Sequence, residues 1–211
     1  WRLIVRNDAV GGLVALPPRS DGSDALILAA HHDAVRDLNE RARQRMEKAG
    51  KLGDERVLLG GREYAVGDEV LGLKNEYRIG LLNGTRGTIT EIDGDRRQIH
   101  VRVGDEEVLR VPFAYAEAGH LAHGYAMTIH KAQGATCDHA LVLVDKTTST
   151  TAIYTGMSRG RQGNDVYLAV DTDRSEIAHA PEIARDPVSA LIAGIERSVA
   201  QQMAVEGRGL A

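Results

Sequence analysis

Hydrophobic and polar positions change rhythm twice along this chain. Residues 24–30, "DALILAA", form a short apolar run suited to a buried strand. "DAVRDLNERARQRMEKAG" follows at once; its Val35, Leu38, Ala42 and Ala49 fall mostly on one helical face, with Asp33 placed to cap the start and Gly50 to end it. Strand then helix is the α/β signature. From Gly60 to Pro112 the period shortens. "REYAVGDEVLGLKN", "TRGTITEID", "RRQIHVRV" and "EEVLRVP" are β-prone pieces, divided by turn signals at Asn83-Gly84, Asp93 to Asp95 and Gly104-Asp105. They predict a small antiparallel barrel, closed so that its edges are paired.

After Phe113 the first rhythm returns. "GYAMTIHKAQG" predicts a short strand breaking into a helix, "HALVLVD" a buried strand, "TSTTAIYTGMSRGR" a helix and "NDVYLAVD" another strand. Such strands flanked by helices fit a mostly parallel sheet. The expected fold class is therefore α/β, one domain in two parts (1–59 and 113–173) with a β-barrel inserted at 60–112. A helical tail is expected over 174–211: in "DPVSALIAGIERSVAQQM", Asp186 stands at the cap and Pro187 in the first turn. Val188, Leu191, Ile192, Ile195 and Val199 share a face that needs a partner surface.

Composition narrows the function classes. A chain of 211 residues that is 43% apolar can bury a real core. One cysteine, Cys137, leaves no internal disulfide framework, so a reducing, cytoplasmic compartment is expected. No run approaches eighteen apolar residues, which removes membrane-spanning and secretory readings. Absence of a start methionine, with "WRLIVR" opening mid-pattern, suggests a piece of something longer, with Trp1 a core residue of a truncated strand. The formal charge of -4 does not advertise a nucleic-acid surface. Its distribution does not forbid one: His120 to Asp165 carries four Lys/Arg against three Asp and no Glu.

Two stretches carry chemistry. "TIHKAQG" sets a hydroxyl, an imidazole, an ammonium and an amide on one turn after a strand, at the carboxyl end of a sheet where α/β folds bind ligands. Lys131 is a mobile point charge suited to phosphate, Gln133 donates and accepts, and Gly134 allows close backbone approach. An ordinary polar surface turn accounts for the same residues equally well. "YTGMSRGR" sets Arg159 and Arg161 near a helix end, able to aim guanidinium forks at a polyphosphate or to meet the helix dipole.

Taken together and in this order, these stretches resemble the second motor domain of superfamily 1 DNA helicases of the RecD-like branch. The resemblance is greatest to conjugative relaxase-helicases of the TraA/TrwC/TraI kind. "YAMTIHKAQGAT" is similar to that group's motif V, and "YTGMSRGR" with "NDVYLAV" to its motif VI. "GDEVLGLKNEYRIGLLNGTRGTI" resembles the start of its SH3-like insertion, and "ALILAAHHDAVRDLNERAR" the strand-helix unit before it. The resemblance covers about residues 20–172 and implies a RecA-like sheet with an SH3-like barrel inserted, as part of a P-loop NTPase.

What it implies for single residues is as follows. Arg159 matches the arginine that contacts the γ-phosphate, the arginine-finger role. Gln133 and Gly134 match positions between DNA and nucleotide, and Arg161 a second phosphate contact. Thr136 stands where many relatives have Glu for the ribose, and relaxase-type members resemble this chain in having Thr. Thr128, His130 and Lys131 match positions near single-stranded DNA, and Asn75 and Asn83 positions of the insertion. The resemblance implies ATP with Mg²⁺ as cofactors, single-stranded DNA as partner and 5′-to-3′ movement.

No GxxxxGK[ST] occurs in the sequence, nor a strand followed by paired acids. The phosphate cradle and metal site are therefore expected on a first RecA-like domain outside this stretch, the resemblance adds a relaxase domain or conjugation machinery as candidate partners, and the stretch alone is expected not to hydrolyse ATP. A non-catalytic DNA- or protein-binding module is the alternative. A phosphoryl-transfer enzyme is a third option, which lacks a visible carboxylate cluster. His31, His32, His120, His123, His130 and His139 lack a compact four-ligand spacing, so no zinc site is expected. Cys137 reads as a small filler near a strand start. Tyr77 and Tyr115 can stack on bases or pack the barrel rim.

Overall fold

The computed structural model describes residues 2–6 and 24–169, apart from Asp105 and Lys146; Trp1 and the expected tail over 174–211 lie outside the described residues. The strands in chain order are β1 (Arg2–Arg6), β2 (Ala25–Ala29), β3 (Arg56–Leu59), β4 (Arg62–Ala65), β5 (Glu69–Gly72) and β6 (Arg86–Asp93). They continue as β7 (Gln98–Val103), β8 (Glu107–Pro112), β9 (Leu121–His123), β10 (Ala126–Thr128), β11 (Cys137–Val144) and β12 (Gly160–Ala169). The helices are α1 (His32–Lys48), α2 (Phe113–Glu117) and α3 (Thr150–Met157), with a 3₁₀ turn at Tyr77–Ile79. The described residues fall into two compact units: residues 36–126 form one, and the flanking residues 2–6, 24–35 and 127–169 form the other.

The flanking unit is built on a five-stranded sheet of order β1-β12-β11-β2-β10. The β1/β12, β12/β11 and β11/β2 pairs are all parallel, as the apolar runs predicted. Ala140 to Val144 are buried without a break, so neither face of β11 is open to water. Helix α3 starts at Ser149, whose side chain accepts from Ala152 N, and buries Ile153 and Gly156. Gly156 packs tightly on β11: a Cβ there would sit 3.0 Å from Val142 Cγ1, so Val142 would have to shift to admit it.

The 36–126 unit holds most of α1, the β3/β4 hairpin and an antiparallel sheet of order β8-β7-β6-β5-β9. Helix α1 buries Leu38 and Ala42. It closes as Gly50 predicted: Gly50 N donates to Glu47 O and Lys51 N to Met46 O, the paired bonds of a Schellman end. Alternation puts Ile89, Ile99, Val101, Leu109 and Val111 on the inner face, with Tyr64, Phe113, Tyr115 and Leu121 in the same core. The unit is wider than the 60–112 segment because β3 and β9 join it.

Two expectations are corrected. Among the described residues no ladder joins β8 to β9, so the sheet is not closed edge to edge. Between them the chain forms α2, which buries Phe113, Tyr115 and Ala116 instead of extending a strand. And "IHKAQG" is not a helix but a succession of turns, for reasons visible at the site.

Candidate functional site

Thr128 ends β10, and the next residue, Ile129, donates its N–H to Ala29 O at the carboxyl end of β2 (2.9 Å). The buried Thr128 hydroxyl accepts from Lys131 N (3.2 Å), while Ala132 N donates to Thr128 O and Gln133 N to His130 O. These bonds make a single capped turn, which Gly134 ends by adopting φ +87°, and the chain must reach the start of β11 within eight residues. Thr128 is thus a turn-forming residue with little surface to offer. His130, Gln133, Gly134 and Thr136 are exposed, and Gly134 has φ +87° with open space around its Cβ position. Lys131 is half-buried, with no acid partner among the described residues; burial holds its ammonium below the usual lysine range.

Arg159 follows the end of α3. Its Nε donates to Thr155 O (2.9 Å), Nη2 to Ser158 Oγ (2.7 Å) and Nη1 to Ala135 O (3.4 Å). The guanidinium therefore caps a helix end and touches the "TIHKAQGA" loop at once, so the helix-end account and the loop-facing account are both realised in one side chain. Its backbone O accepts from Cys137 N (3.1 Å), which joins the amino ends of β11 and β12. All its partners are neutral oxygens; among the described residues no carboxylate pairs with it.

Two placements differ from expectation. The helix expected over 148–161 stops at Met157, so Arg161 lies on β12, exposed, with Nε 3.7 Å from Asp138 Oδ1. The candidate residues do not all sit at the carboxyl edge. Thr128 does, but Ala135, Cys137 and Arg159 lie at the amino ends of β11 and β12. Of the two readings for Tyr115, packing is the one realised: it is 6% exposed, with its hydroxyl donating to Lys74 O (2.5 Å).

Sequence reasoning missed Asn164. Its Oδ1 accepts from Gly160 N and its Nδ2 donates to Gly160 O, both at 3.0 Å, fixing the residue after Arg159. Gly160 admits no side chain, since a Cβ would stand 2.0 Å from Gly163 O and 2.8 Å from Ala140 N. A lone asparagine opening an apolar strand gave the only signal. The buried Cys137 matches its expected role as a filler.

In the 36–126 unit, Asn75 Oδ1 accepts from Asn83 N (2.7 Å) and Asn75 Nδ2 donates to Tyr77 Oη (3.0 Å). The two predicted asparagines do meet, but the Asn75 carboxamide is occupied in shaping its own loop. That loop exposes Tyr77 at 76%, beside exposed Leu73 and Leu82.

The parallel sheet, its strand order and this loop arrangement define a RecA-like α/β fold resembling superfamily 1 helicase motor domains of the RecD/Pif1 type. The solved Pif1 helicase from Bacteroides in complex with ADP-AlF3 and ssDNA superposes with TM-score 0.50 at 20% identity, over 84% of this chain and 47% of that one. The chain is 36% identical over 146 residues to "Probable conjugal transfer protein TraA" of Sinorhizobium fredii. That match covers 67% of this chain and 13% of the relative, so the chain spans a small part of the relative's length. It is also 29% identical over 150 residues to "ATP-dependent DNA helicase Pif1" of Bdellovibrio bacteriovorus, covering 66% of this chain and 33% of that protein. No family model matches the chain.

Proposed function

We propose that this chain is the second RecA-like motor domain of an ATP-dependent DNA helicase used in conjugal DNA transfer or DNA processing, with 5′-to-3′ movement on single-stranded DNA. The observation that carries the reading is Arg159. A guanidinium that has no carboxylate partner among the described residues is held against the loop that also presents Lys131, likewise without an acid partner among them, in a chain whose net charge is -4. Unpaired cations fixed at one loop favour a polyanion.

In this reading ATP with Mg²⁺ is held mainly by a first RecA-like domain outside the chain, because the sequence has no GxxxxGK[ST] of its own. The residues present fit the second wall of such a cleft: neutral oxygens position the Arg159 charge, and Gly134 leaves open space for close approach. Bound ATP supplies the phosphoanhydride whose cleavage drives movement. Arg159 contributes positive charge at the γ-phosphoryl, with Arg161 and Thr136 as further nucleotide contacts and Gln133 between nucleotide and DNA. His130, Lys131 and the turn fixed by Thr128 line the single strand. The 36–126 unit acts on the same strand as an SH3-like insertion, through the loop that Asn75 and Asn83 shape. Likeness to the TraA and Pif1 proteins supports this reading.

The test is ATP turnover by the intact parent protein with and without single-stranded DNA. Arg159→Ala is expected to lower DNA-stimulated kcat by roughly a thousandfold or more while leaving nucleotide affinity nearly unchanged. An unchanged rate removes Arg159 from the site and the motor reading with it.

A further inference from the structure

The strongest feature outside the candidate site lies on the β6/β7 hairpin. Register pairs Glu91 with His100, Ile92 with Ile99 and Asp93 with Gln98. Opposite residues in an antiparallel ladder share a face, and alternate residues along a strand do so too. Ile92 and Ile99 therefore point to the core, and Glu91, Asp93 and His100 to the other face. A shift of register between Ile89 and Glu91 is what brings Glu91 opposite His100. His100 Nδ1 lies 2.8 Å from Glu91 Oε2, and one donor atom from each of Glu91, Asp93 and His100 lies within 4.8 Å of the others.

We propose that Glu91, Asp93 and His100 form a binding site for a divalent transition-metal ion, with zinc, cobalt or nickel as the chemical class. One imidazole and two carboxylates are a donor set such ions accept. Ligand distances of about 2.0–2.2 Å place the donors of a filled site roughly 3–3.5 Å apart. The strands already hold these three near that spread, so filling takes side-chain rotation without backbone movement. The His100 and Asp93 side chains are only 16% and 11% exposed, which limits the order they must gain, and Glu91, at 57%, is free to swing.

Two features set the competition. Asp93 accepts from Arg96 N (2.8 Å) and from Arg96 Nη1 (3.0 Å), but the Arg96 side chain is 78% exposed and easily displaced. Arg110, opposite His100 on β8, adds positive charge that disfavours a weakly held ion. The site therefore selects an ion that bonds to imidazole over one, such as Mg²⁺, that prefers oxygen and water. Bound metal would pin the hairpin ladder between β6 and β7.

The experiment is calorimetric titration of the 211-residue chain, free of any tag, with Zn²⁺ and separately with Mg²⁺. Saturable one-to-one Zn²⁺ binding is expected, weakened about tenfold or more by His100→Ala and by the isosteric, exposed Glu91→Gln, with Mg²⁺ giving no comparable binding. Amide NMR shifts on adding Zn²⁺ should centre on 91–100, a readout independent of how well each variant folds. Absence of saturable binding, or binding that survives both substitutions, overturns the proposal.

Discussion

Asn39 offers a sharp test of how the strand leading to the candidate site is held. From α1 its Nδ2 donates to Ala126 O (2.9 Å) and its Oδ1 accepts from Ala126 N (3.0 Å), so one carboxamide satisfies both backbone groups of the first residue of β10. Ala126 is 1% exposed, so water cannot replace the lost partner. In Asn39→Ala each stranded group costs about 1–3 kcal/mol, and alanine returns about 0.5 kcal/mol of helix propensity. Partial relaxation leaves a net loss of about 2–4 kcal/mol. Urea unfolding at neutral pH should show a lower midpoint with an unchanged slope. Asn39→Asp keeps the acceptor but turns a carboxylate toward Ala126 O. It should be as damaging at neutral pH and recover on acidification, when the protonated carboxyl can donate again. A loss below about 1 kcal/mol in the alanine variant would refute the clamp.

Other predictions follow from charge and backbone geometry. At Asp145, burial acts to raise the pKa but is outweighed by hydrogen bonds from the Thr147 hydroxyl and N–H and from Thr148, and by nearby His31, so the carboxyl titrates below its ordinary range. A depressed folded pKa adds stability that is present above the unfolded carboxylate range and lost as pH falls through the folded value. Asp145→Asn should therefore destabilise at neutral pH but not in strong acid, read as thermal midpoint against pH. Lys131 is the opposite case: its ammonium is desolvated with no acid partner among the described residues, so Lys131→Met should not lower the thermal midpoint while reducing DNA-stimulated ATP turnover of the parent protein. Gly134→Ala meets no atom within 4 Å but must adopt φ +87°, and should cost about 1–2 kcal/mol in denaturant unfolding.

The parts of the fold that the sequence revealed are those set by local pattern. Ala140 to Val144 read as a buried strand because five successive apolar residues can be covered only inside a two-faced sheet. Gly50 marked the end of α1 because few other residues adopt its conformation. The turns of the β-rich segment were equally legible, whereas the closure of its sheet was not, since edge pairing depends on where Phe113 and Tyr115 are buried. The helix assigned through Arg161 failed for a similar reason. Helical periodicity runs on past Met157, but Gly160 must approach Ala140 and Gly163 too closely for a helix to continue. Arg159 and Lys131 were recognised by type and order. That Arg159 touches the loop at Ala135, at the amino ends of the strands, required the three-dimensional register.

The two asparagines that pattern reading passed over share one physical role. Asn39 grips both backbone groups of Ala126, and Asn164 grips both of Gly160. Ala126 opens β10, an end strand of its sheet, and Gly160 opens β12 where its pairing with β11 is irregular. In both places a ladder partner is lacking or out of step, and an unpaired backbone group away from water is costly. A primary amide supplies a donor and an acceptor on two separate atoms, so it can meet the N–H and the C=O of one residue at once. The residues so fixed stand immediately beside the chemistry-bearing segments, Thr128 to Thr136 after one and Arg159 before the other. Among the described residues no carboxylate pairs with Lys131 or Arg159, and these clamps fix the flanking backbone with neutral groups that leave both charges as they are.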